Sequence, residues 1–357
     1  MAKPENKQKQ TREESHLRLK KIINSHFENL KETNEVLYNT RRSSSEKVNW
    51  EEIVKMGDHI YKHATIVGML FNGQTPEAKE LEESIEIYFN LIQGLLFLSH
   101  GSKVGAGYTL SSYIESSVSK VVDSSNRLLM DSVTLYGFPD RKVPIPQLVG
   151  VVWDACSALK KTPTTNITAI GRAVTQNSAS IKDVLREMKE LNPAPSGGAS
   201  SSGPDDAYNV AGDDLGNDLS LEEMAVVQSA IFVVSDTLKV MKELIRAITG
   251  FLKLETDKGT GSKTFVVSLE KLADSCNGIR SQIDHIGACL YPPQDSLELK
   301  TAVKKIVSHV NELQQEVEHL ESSSEVLSQA CNTLKVSLSQ MEYSLDNPNT
   351  IDMPNQP

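Results

Sequence analysis

Two histidines on one predicted helix are the first candidates for chemistry. His59 and His63 stand four residues apart, a spacing that places two zinc ligands on one helix face. Ile60 occupies the position after His59 where a zinc protease helix carries its catalytic glutamate, and the sequence indicates no third ligand. We therefore interpret this pair as part of a half-exposed helix face and predict no metal site here.

A second candidate is a run of glycines at Gly101, Gly105 and Gly107. A phosphate-binding loop needs Lys and then Ser or Thr directly after its last glycine, with a strand before the loop. Here Tyr108 follows the last glycine, and the preceding segment has a helical pattern, so we predict a connection between two helices. The sequence also carries no nucleophile elbow, paired-acid signature or dinucleotide fingerprint. It therefore predicts a protein that is not an enzyme, with no catalytic residue and no cofactor.

The four cysteines are Cys156, Cys276, Cys289 and Cys331, far apart in the chain and without a C-x-x-C pair. This spacing favours reduced, partly buried thiols in a reducing compartment over a disulfide framework or a zinc knuckle. The polar N-terminus has no apolar core of a signal peptide. The longest apolar stretch, Leu91 to Leu98, is far shorter than the ~20 residues of a membrane span. We expect a soluble, intracellular protein with no membrane span.

Composition limits both the partners and the fold. The chain has 37 basic and 47 acidic residues, a net charge of −10, which argues against unaided binding to nucleic acid or to an anionic membrane. Hydrophobic residues make up 39% and aromatic residues only 5%. Cores this poor in aromatics must be aliphatic, and aliphatic cores suit packed helices.

The chain divides at an acidic segment rich in Pro, Gly and Ser. Residues 192–218 contain no Lys or Arg and too few apolar side chains to offset their ordering entropy, so they predict a disordered linker. The domain prediction is a disordered N-terminus at 1–14, an N-terminal helical bundle at 15–191, a C-terminal helical bundle at 219–345 and a polar tail at 346–357. A helix before the linker could also dock onto the bundle after it.

Both halves have the three-and-four residue spacing of amphipathic helices. Three capping boxes mark helix starts, at Asn49 with Glu52, Ser220 with Glu223, and Asp295 with Glu298. Prolines and glycines mark the helix ends. The predicted fold class is all-α, with antiparallel bundles.

Apolar residues also recur every seventh position near the C-terminus, as a leucine zipper requires. A parallel homodimer would place Glu316 opposite Glu321, where the two carboxylates would repel. Ser322 with Glu325 is a further capping box, which predicts that the chain begins a new helix there. We favour an intramolecular hairpin, and hence a monomer, over an intermolecular zipper. The repeat consists of Ile306, Leu313, Leu320, Leu327, Leu334 and Met341.

Serines that follow a basic pair offer a possible regulatory site. Arg41 and Arg42 precede Ser43, Ser44 and Ser45, which resembles the target of a basic-directed kinase. Phosphate there would add negative charge near a helix start. The sequence alone leaves open whether Ser43–Ser45 is phosphorylated.

Several islands of sequence resemble the cyclin-D-binding, Maid-like (GCIP) protein family, and the resemblance spans most of the chain apart from the first ~45 residues and the polar tail. The islands are Val152-Trp153-Asp154-Ala155-Cys156, Thr175-Gln176-Asn177, Lys182-Asp183, Glu187-Met188 and Leu290-Tyr291-Pro292-Pro293.

The resemblance implies an all-helical, non-enzymatic interaction protein of cytoplasm and nucleus. Its expected partners are D-type cyclins and helix-loop-helix transcription factors, and its expected effect is to restrain cell-cycle progression or transcription. It supplies no contact residues, so the partner-binding site stays open. A partner helix could pack into a groove or displace a weakly held helix, for which the serine-rich segment Glu325 to Leu345 is the candidate. The alternative function is a vinculin- or syntaxin-like scaffold in membrane traffic or adhesion.

Overall fold

A computed structural model describes residues 4–39, 47–71, 76–141, 143–191, 219–254, 262–320 and 325–347 of the chain. Within these residues it contains ten α-helices and no strand, which confirms the all-α prediction. The chain forms two compact units, Met1–Ala169 and Ile170–Pro357, and each is described separately. Three predicted features lie outside the described residues, namely the linker at 192–218, the serines at 43–45 and the capping serine at 322.

The first unit is a bundle in which α2 pairs with α3 and α5, α4 pairs with α5, and α1 packs against α3 and α4. Its core contains the polar pair Tyr88 and Ser125, whose hydroxyl groups are 3.1 Å apart and fully buried. The helices are α1 (Pro4–Asn39), α2 (Trp50–Leu70), α3 (Ala78–Ser102), α4 (Tyr108–Gly137) and α5 (Ile145–Leu159).

The start of α1 corrects the sequence-based boundary. Residues 1–14 were predicted to be disordered, but the helix begins at Pro4. Proline suits the first turn of a helix because its missing N–H would have no helical partner there. The polar run that follows is rich in Gln, Lys and Glu, which have good intrinsic helix propensity.

The second unit contains α7 (Leu221–Leu254), α8 (Lys263–Cys289), α9 (Ser296–His319) and α10 (Glu325–Asp346), together with most of α6 (Asn166–Glu190). Helices α8 and α9 form a hairpin, and α10 lies against both α7 and α9. The Ser220–Glu223 capping box predicted from the sequence is present in both directions. Ser220 N donates to Glu223 Oε2 at 2.9 Å, and Glu223 N donates to Ser220 Oγ at 3.1 Å.

Helix α6 places the unit boundary before the predicted linker. The sequence-based bundles 15–191 and 219–345 grouped α6 with the first bundle, whereas the two compact units divide between Ala169 and Ile170. A Cβ added at Gly287 of α8 would come within 2.9 Å of Val184 of α6, so these helices approach closely. The apolar stripe of α6 is thus buried within the second unit, at Ile170, Val174, Ile181 and Met188.

The heptad stripe is buried within this single chain. Helix α9 ends at His319 and α10 starts at Glu325, as the hairpin interpretation predicted. Glu316 is 6% exposed and its carboxylate accepts a hydrogen bond from Lys271 Nζ of α8 at 2.6 Å. It therefore belongs to an intramolecular ion pair between α8 and α9. The repeat residues Ile306, Leu313, Leu334 and Met341 are at 0% exposure, as are Val303, Val310, Cys331 and Leu338 of the same two helices.

Helix α7 is a long, apolar helix. Residues Leu221–Leu252 are long and apolar enough to cross a membrane by length and composition alone. Core helices of soluble proteins meet the same criterion, and Val233, Val240 and Leu244 of α7 are fully buried. Asp236 of α7 also accepts a hydrogen bond from Ser337 of α10 at 2.5 Å. We interpret α7 as the central core helix of the second unit.

Candidate interaction surface

A cluster of aromatic and apolar side chains lies where α2 meets α5. The rings of Tyr61 and Trp153 are stacked, with centroids 5.2 Å apart and an interplanar angle of 19°. Trp153 Nε1 donates to Thr65 Oγ1 at 3.1 Å, and Thr65 Oγ1 donates to the Tyr61 carbonyl at 3.0 Å. Met69, one turn after Thr65, is 68% exposed. We call these four residues the aromatic surface.

Two glycines allow α2 and α5 to pack closely beside this surface. A Cβ added at Gly57 would come within 2.9 Å of Leu159, and one added at Gly68 would come within 2.8 Å of Val149. The absent side chains let the two antiparallel helices approach closely on either side of Trp153. The ring is thereby held between α2 and α5, with its polar atom paired and part of its face open to solvent.

The aromatic surface has a charged rim. Lys160 Nζ of α5 and Asp58 Oδ1 of α2 are 2.7 Å apart, and both side chains are partly exposed. Rigid aromatic anchors with a paired polar atom and a polar rim are the composition of binding hot spots in protein interfaces. The arrangement has the chemistry of a surface that binds a protein.

A groove of about 450 Å³ lies between α1, α3 and α4. Phe27, Leu30, Leu96, Val118 and Val122 form its apolar floor. The Asn126 Oδ1 atom is buried and has no hydrogen-bond partner among the described residues.

A second groove of about 450 Å³ follows the opposite side of α1, along α3. Leu30 lines this groove as well as the first, and the exposed Val36 and Phe97 contribute to it. Helix α1 is held here by the His26 and Phe89 rings, stacked 4.6 Å apart, and by a 3.1 Å hydrogen bond from Gln93 to Thr33. The C-terminal half of α1 is thus flanked by open space on both sides.

The two histidines weighed as zinc ligands do not meet. His59 is exposed, whereas His63 is buried and its Nε2 lies 3.0 Å from the Ser84 carbonyl and 3.2 Å from Ser84 Oγ. Burial lowers the pKa of His63, and the hydrogen bond to the Ser84 carbonyl opposes this effect only in part. The prediction of a half-exposed face fits His59 and is wrong for His63, a core histidine packed edge-on against Tyr88.

The glycine-rich segment is a loop between helices, as predicted. Gly101 is the penultimate residue of α3, and Gly107 precedes α4. Gly105 adopts φ +75°, a left-handed conformation that glycine reaches without a steric penalty. Asn166 holds the loop, because its Oδ1 accepts from Gly107 N at 2.8 Å and its Nδ2 donates to the Gly105 carbonyl at 3.0 Å.

The cysteines differ in their surroundings. Burial raises the pKa of Cys156 and of Cys276 to about 12 and that of Cys331 to about 11, so these thiols stay protonated and unreactive. Cys289 is only partly buried, and its Sγ lies 3.7 Å from His285 Nε2 and 3.6 Å from Glu298 Oε2. This convergence was not predicted from the sequence, although His285 and Cys289 have the same four-residue spacing as His59 and His63.

Comparison with protein families assigns most of the chain. A family model described as Grap2 and cyclin-D-interacting, N-terminal, matches residues 52–194, and the C-terminal model of that family matches residues 205–315. A comparison with curated proteins gives no match. The aromatic surface lies within the first matched region, whereas α1 and α10 lie outside both. The chain belongs to the Grap2 and cyclin-D-interacting family.

Proposed function

We propose that this protein is a regulatory interaction protein that binds a D-type cyclin through the aromatic surface of α2 and α5 and so restrains cell-cycle progression. The observation that carries the proposal is the stacked pair Tyr61 and Trp153, part-exposed at the junction of two tightly packed helices. The pair lies within the residues that match the cyclin-D-interacting family.

The physical basis is that this surface loses little conformational entropy when it binds a partner. Tyr61 and Trp153 are already stacked, and the Trp153 N–H is already paired with Thr65. A partner that covers the exposed ring faces and Met69 buries apolar area and orders only one flexible side chain. The Asp58–Lys160 ion pair at the rim can help to orient the partner.

The wider role follows the family. Helix-loop-helix transcription factors are proposed as a second class of partner, which would couple the protein to transcription as well as to the cell cycle. We propose that it acts as a monomer in cytoplasm and nucleus, without catalysis. The family is described by the partners it contacts and not by a reaction, which supports a non-enzymatic role.

The test is a calorimetric titration of the whole chain with a purified D-type cyclin. Trp153→Ala should weaken binding by about 30-fold, the equivalent of ~2 kcal/mol for a hot-spot tryptophan. Met69→Glu should weaken binding as well without disturbing packing, since Met69 is 68% exposed. The matched control is Tyr343→Ala, an exposed aromatic residue of α10 outside the family match, which should leave binding unchanged.

The outcomes separate the proposal from its alternative. Equal affinity of the wild type, Trp153→Ala and Met69→Glu would show that the aromatic surface is not the site. Absence of cyclin binding, together with co-sedimentation of the chain with liposomes or actin filaments, would instead support the helical scaffold in membrane traffic or adhesion.

A further inference from the structure

Three side chains with metal-binding atoms converge at the turn between α8 and α9. His285 and Cys289 lie one helical turn apart at the C-terminal end of α8, and Glu298 lies in the first turn of α9. The segment from Leu290 to Asp295 reverses the chain and brings the two helix ends together. All three ligand atoms lie within 4.8 Å of one another.

The three distances match the edges of a zinc coordination tetrahedron. The separations are 3.1 Å from His285 Nε2 to Glu298 Oε2, 3.7 Å from His285 Nε2 to Cys289 Sγ and 3.6 Å from Cys289 Sγ to Glu298 Oε2. Zinc bonds of about 2.0–2.3 Å with tetrahedral angles require ligand separations of about 3.3–3.6 Å; the 3.1 Å separation is slightly shorter than this range and the 3.7 Å separation slightly longer. Small side-chain rotations would therefore place a Zn²⁺ ion at bonding distance from all three atoms.

The local charge also favours a cation. The carboxylate of Asp295 accepts hydrogen bonds from Leu297 N and Glu298 N, so it stays ordered beside the cluster. The carboxylates of Asp295 and Glu298 place negative charge at the cluster, and this charge favours a bound cation. A bound Zn²⁺ would replace the thiol proton, which passes to solvent.

The capping role predicted for Glu298 is not the role its side chain takes. In a capping box Glu298 would accept a hydrogen bond from Asp295 N. Instead its carboxylate lies against His285 and Cys289 of the neighbouring helix. Asp295 alone caps α9, which leaves Glu298 available as a ligand.

We propose that His285, Cys289 and Glu298 form a zinc site, with water as the fourth ligand, that ties the end of α8 to the start of α9. Thiolate and imidazole ligands select zinc over magnesium and calcium, which prefer oxygen ligands throughout. The His285 and Glu298 side chains are 44% and 55% exposed, so the ion can enter from solvent without opening the core. The site is independent of the aromatic surface and of cyclin binding.

Zinc titration of the tag-free, full-length chain tests this proposal. The wild type should bind one Zn²⁺ ion, and Co²⁺ in its place should give the near-ultraviolet charge-transfer band of a cobalt–thiolate bond. Cys289→Ser, His285→Ala and Glu298→Gln should each weaken zinc binding, by ~100-fold for loss of the thiolate. The cobalt–thiolate band should vanish in Cys289→Ser.

A matched control separates a built site from general surface binding. His309 Nδ1 lies 3.2 Å from Glu312 Oε2 on α9, a partly exposed histidine–carboxylate pair that includes no thiol. His309→Ala should retain wild-type zinc affinity. If Cys289→Ser binds zinc as tightly as the wild type, or if His309→Ala weakens binding as much as His285→Ala, the proposal is wrong.

Thiol labelling gives a second readout on the same chain. Cys289 should be the cysteine that an alkylating reagent modifies first in the folded protein, because Cys156, Cys276 and Cys331 are buried. Zinc should slow this labelling at least about tenfold, and a chelator should restore it. Labelling of Cys289 at the same rate with and without zinc would overturn the proposal.

Discussion

Helices α1 and α10 flank the residues that match the family, and they differ in how many apolar side chains they bury. Helix α1 spans 36 residues, yet among its described side chains only Leu19, Ile23 and Leu30 are buried. Helix α10 spans 22 residues and lies between α7 and α9. It buries six apolar side chains, Leu327, Cys331, Leu334, Leu338, Met341 and Leu345.

Serine content is a poor guide to how much apolar surface a helix buries. The serine-rich stretches of α10 predicted the weakest helix. In the structure, Ser339 and Ser344 donate to carbonyls of their own helix, and Ser337 donates to Asp236 of α7. The serines thus lie outside the apolar stripe or add a contact. The structure favours the reverse ranking, with α1 as the helix that a partner could displace.

Truncation of the α10 stripe should have the largest effect. Leu334→Ala should destabilise the chain by ~2–5 kcal/mol, because Leu334 is fully buried and its removal leaves a cavity. Val336→Ala on the same helix is the control, since Val336 is 57% exposed. Chemical denaturation measures both, and light scattering should show a monomer throughout. A dimer that dissociates into folded monomers on Leu334→Ala would contradict the hairpin.

A leucine-to-alanine substitution in α1 should lower the free energy of unfolding by less. Leu30→Ala should destabilise the first unit by ~1–2 kcal/mol, because Leu30 lines both grooves and its loss enlarges existing open space without creating a closed cavity. Denaturation followed by fluorescence of Trp50 and Trp153, both in the first unit, reports this change. A cost equal to that of Leu334→Ala would show that α1 is held as firmly as α10.

Acid should destabilise the core between α2 and α3 through His63. The pKa of His63 is lowered below its usual 6.5 in the folded state by burial, so below pH 6.5 the unfolded chain takes up a proton first. Stability is therefore full above pH 6.5 and falls as the pH decreases below it. His63→Gln should reduce the drop in thermal midpoint between pH 7.5 and 5.5.

The control for this effect is His59→Gln, since His59 is exposed on the same helix. This variant should retain the wild-type loss of thermal midpoint on acidification. An unchanged acid response in His63→Gln would exclude His63 as its source.

Deletion of residues 195–216 should have the smallest effect. The C-terminal end of α6 and the N-terminal end of α7 both lie near the C-terminal end of α8. Leu191, which follows α6, lines a groove with Tyr291. Gln294 donates to the carbonyl of Glu223, in the first turn of α7, at 3.3 Å. The five residues left between Leu191 and Leu219 can reach roughly 20 Å. The thermal midpoint should therefore change little, and a decrease of more than ~5 °C would show that the segment is packed.

Much of the fold was predictable because helix periodicity and caps are local signals. The starts of α2, α7 and α9 at Asn49, Ser220 and Asp295 followed from capping residues, and each of these side chains accepts a hydrogen bond from the first helical turn. The docking of a helix before the linker onto the second bundle was an open alternative, but the sequence could not select it, because periodicity shows that a helix has an apolar face but not which neighbour covers it.

The interaction surface was predictable only in part. Trp153 stood out within a family-like island of sequence, but its stacking on Tyr61 depends on the close approach of α2 and α5. The convergence of Glu298 with His285 and Cys289 likewise depends on the turn between two helices. Contacts between residues of different helices have no local signature, which is why sequence spacing alone missed them.

Hydrogen exchange of the chain with and without a D-type cyclin tests the central claim most directly, because it maps the contact surface without any substitution. We expect added protection in α2 and α5, around Tyr61, Thr65 and Trp153, and unchanged exchange in α10. Protection confined to α10, or a cyclin complex that leaves α2 and α5 unchanged, would contradict it.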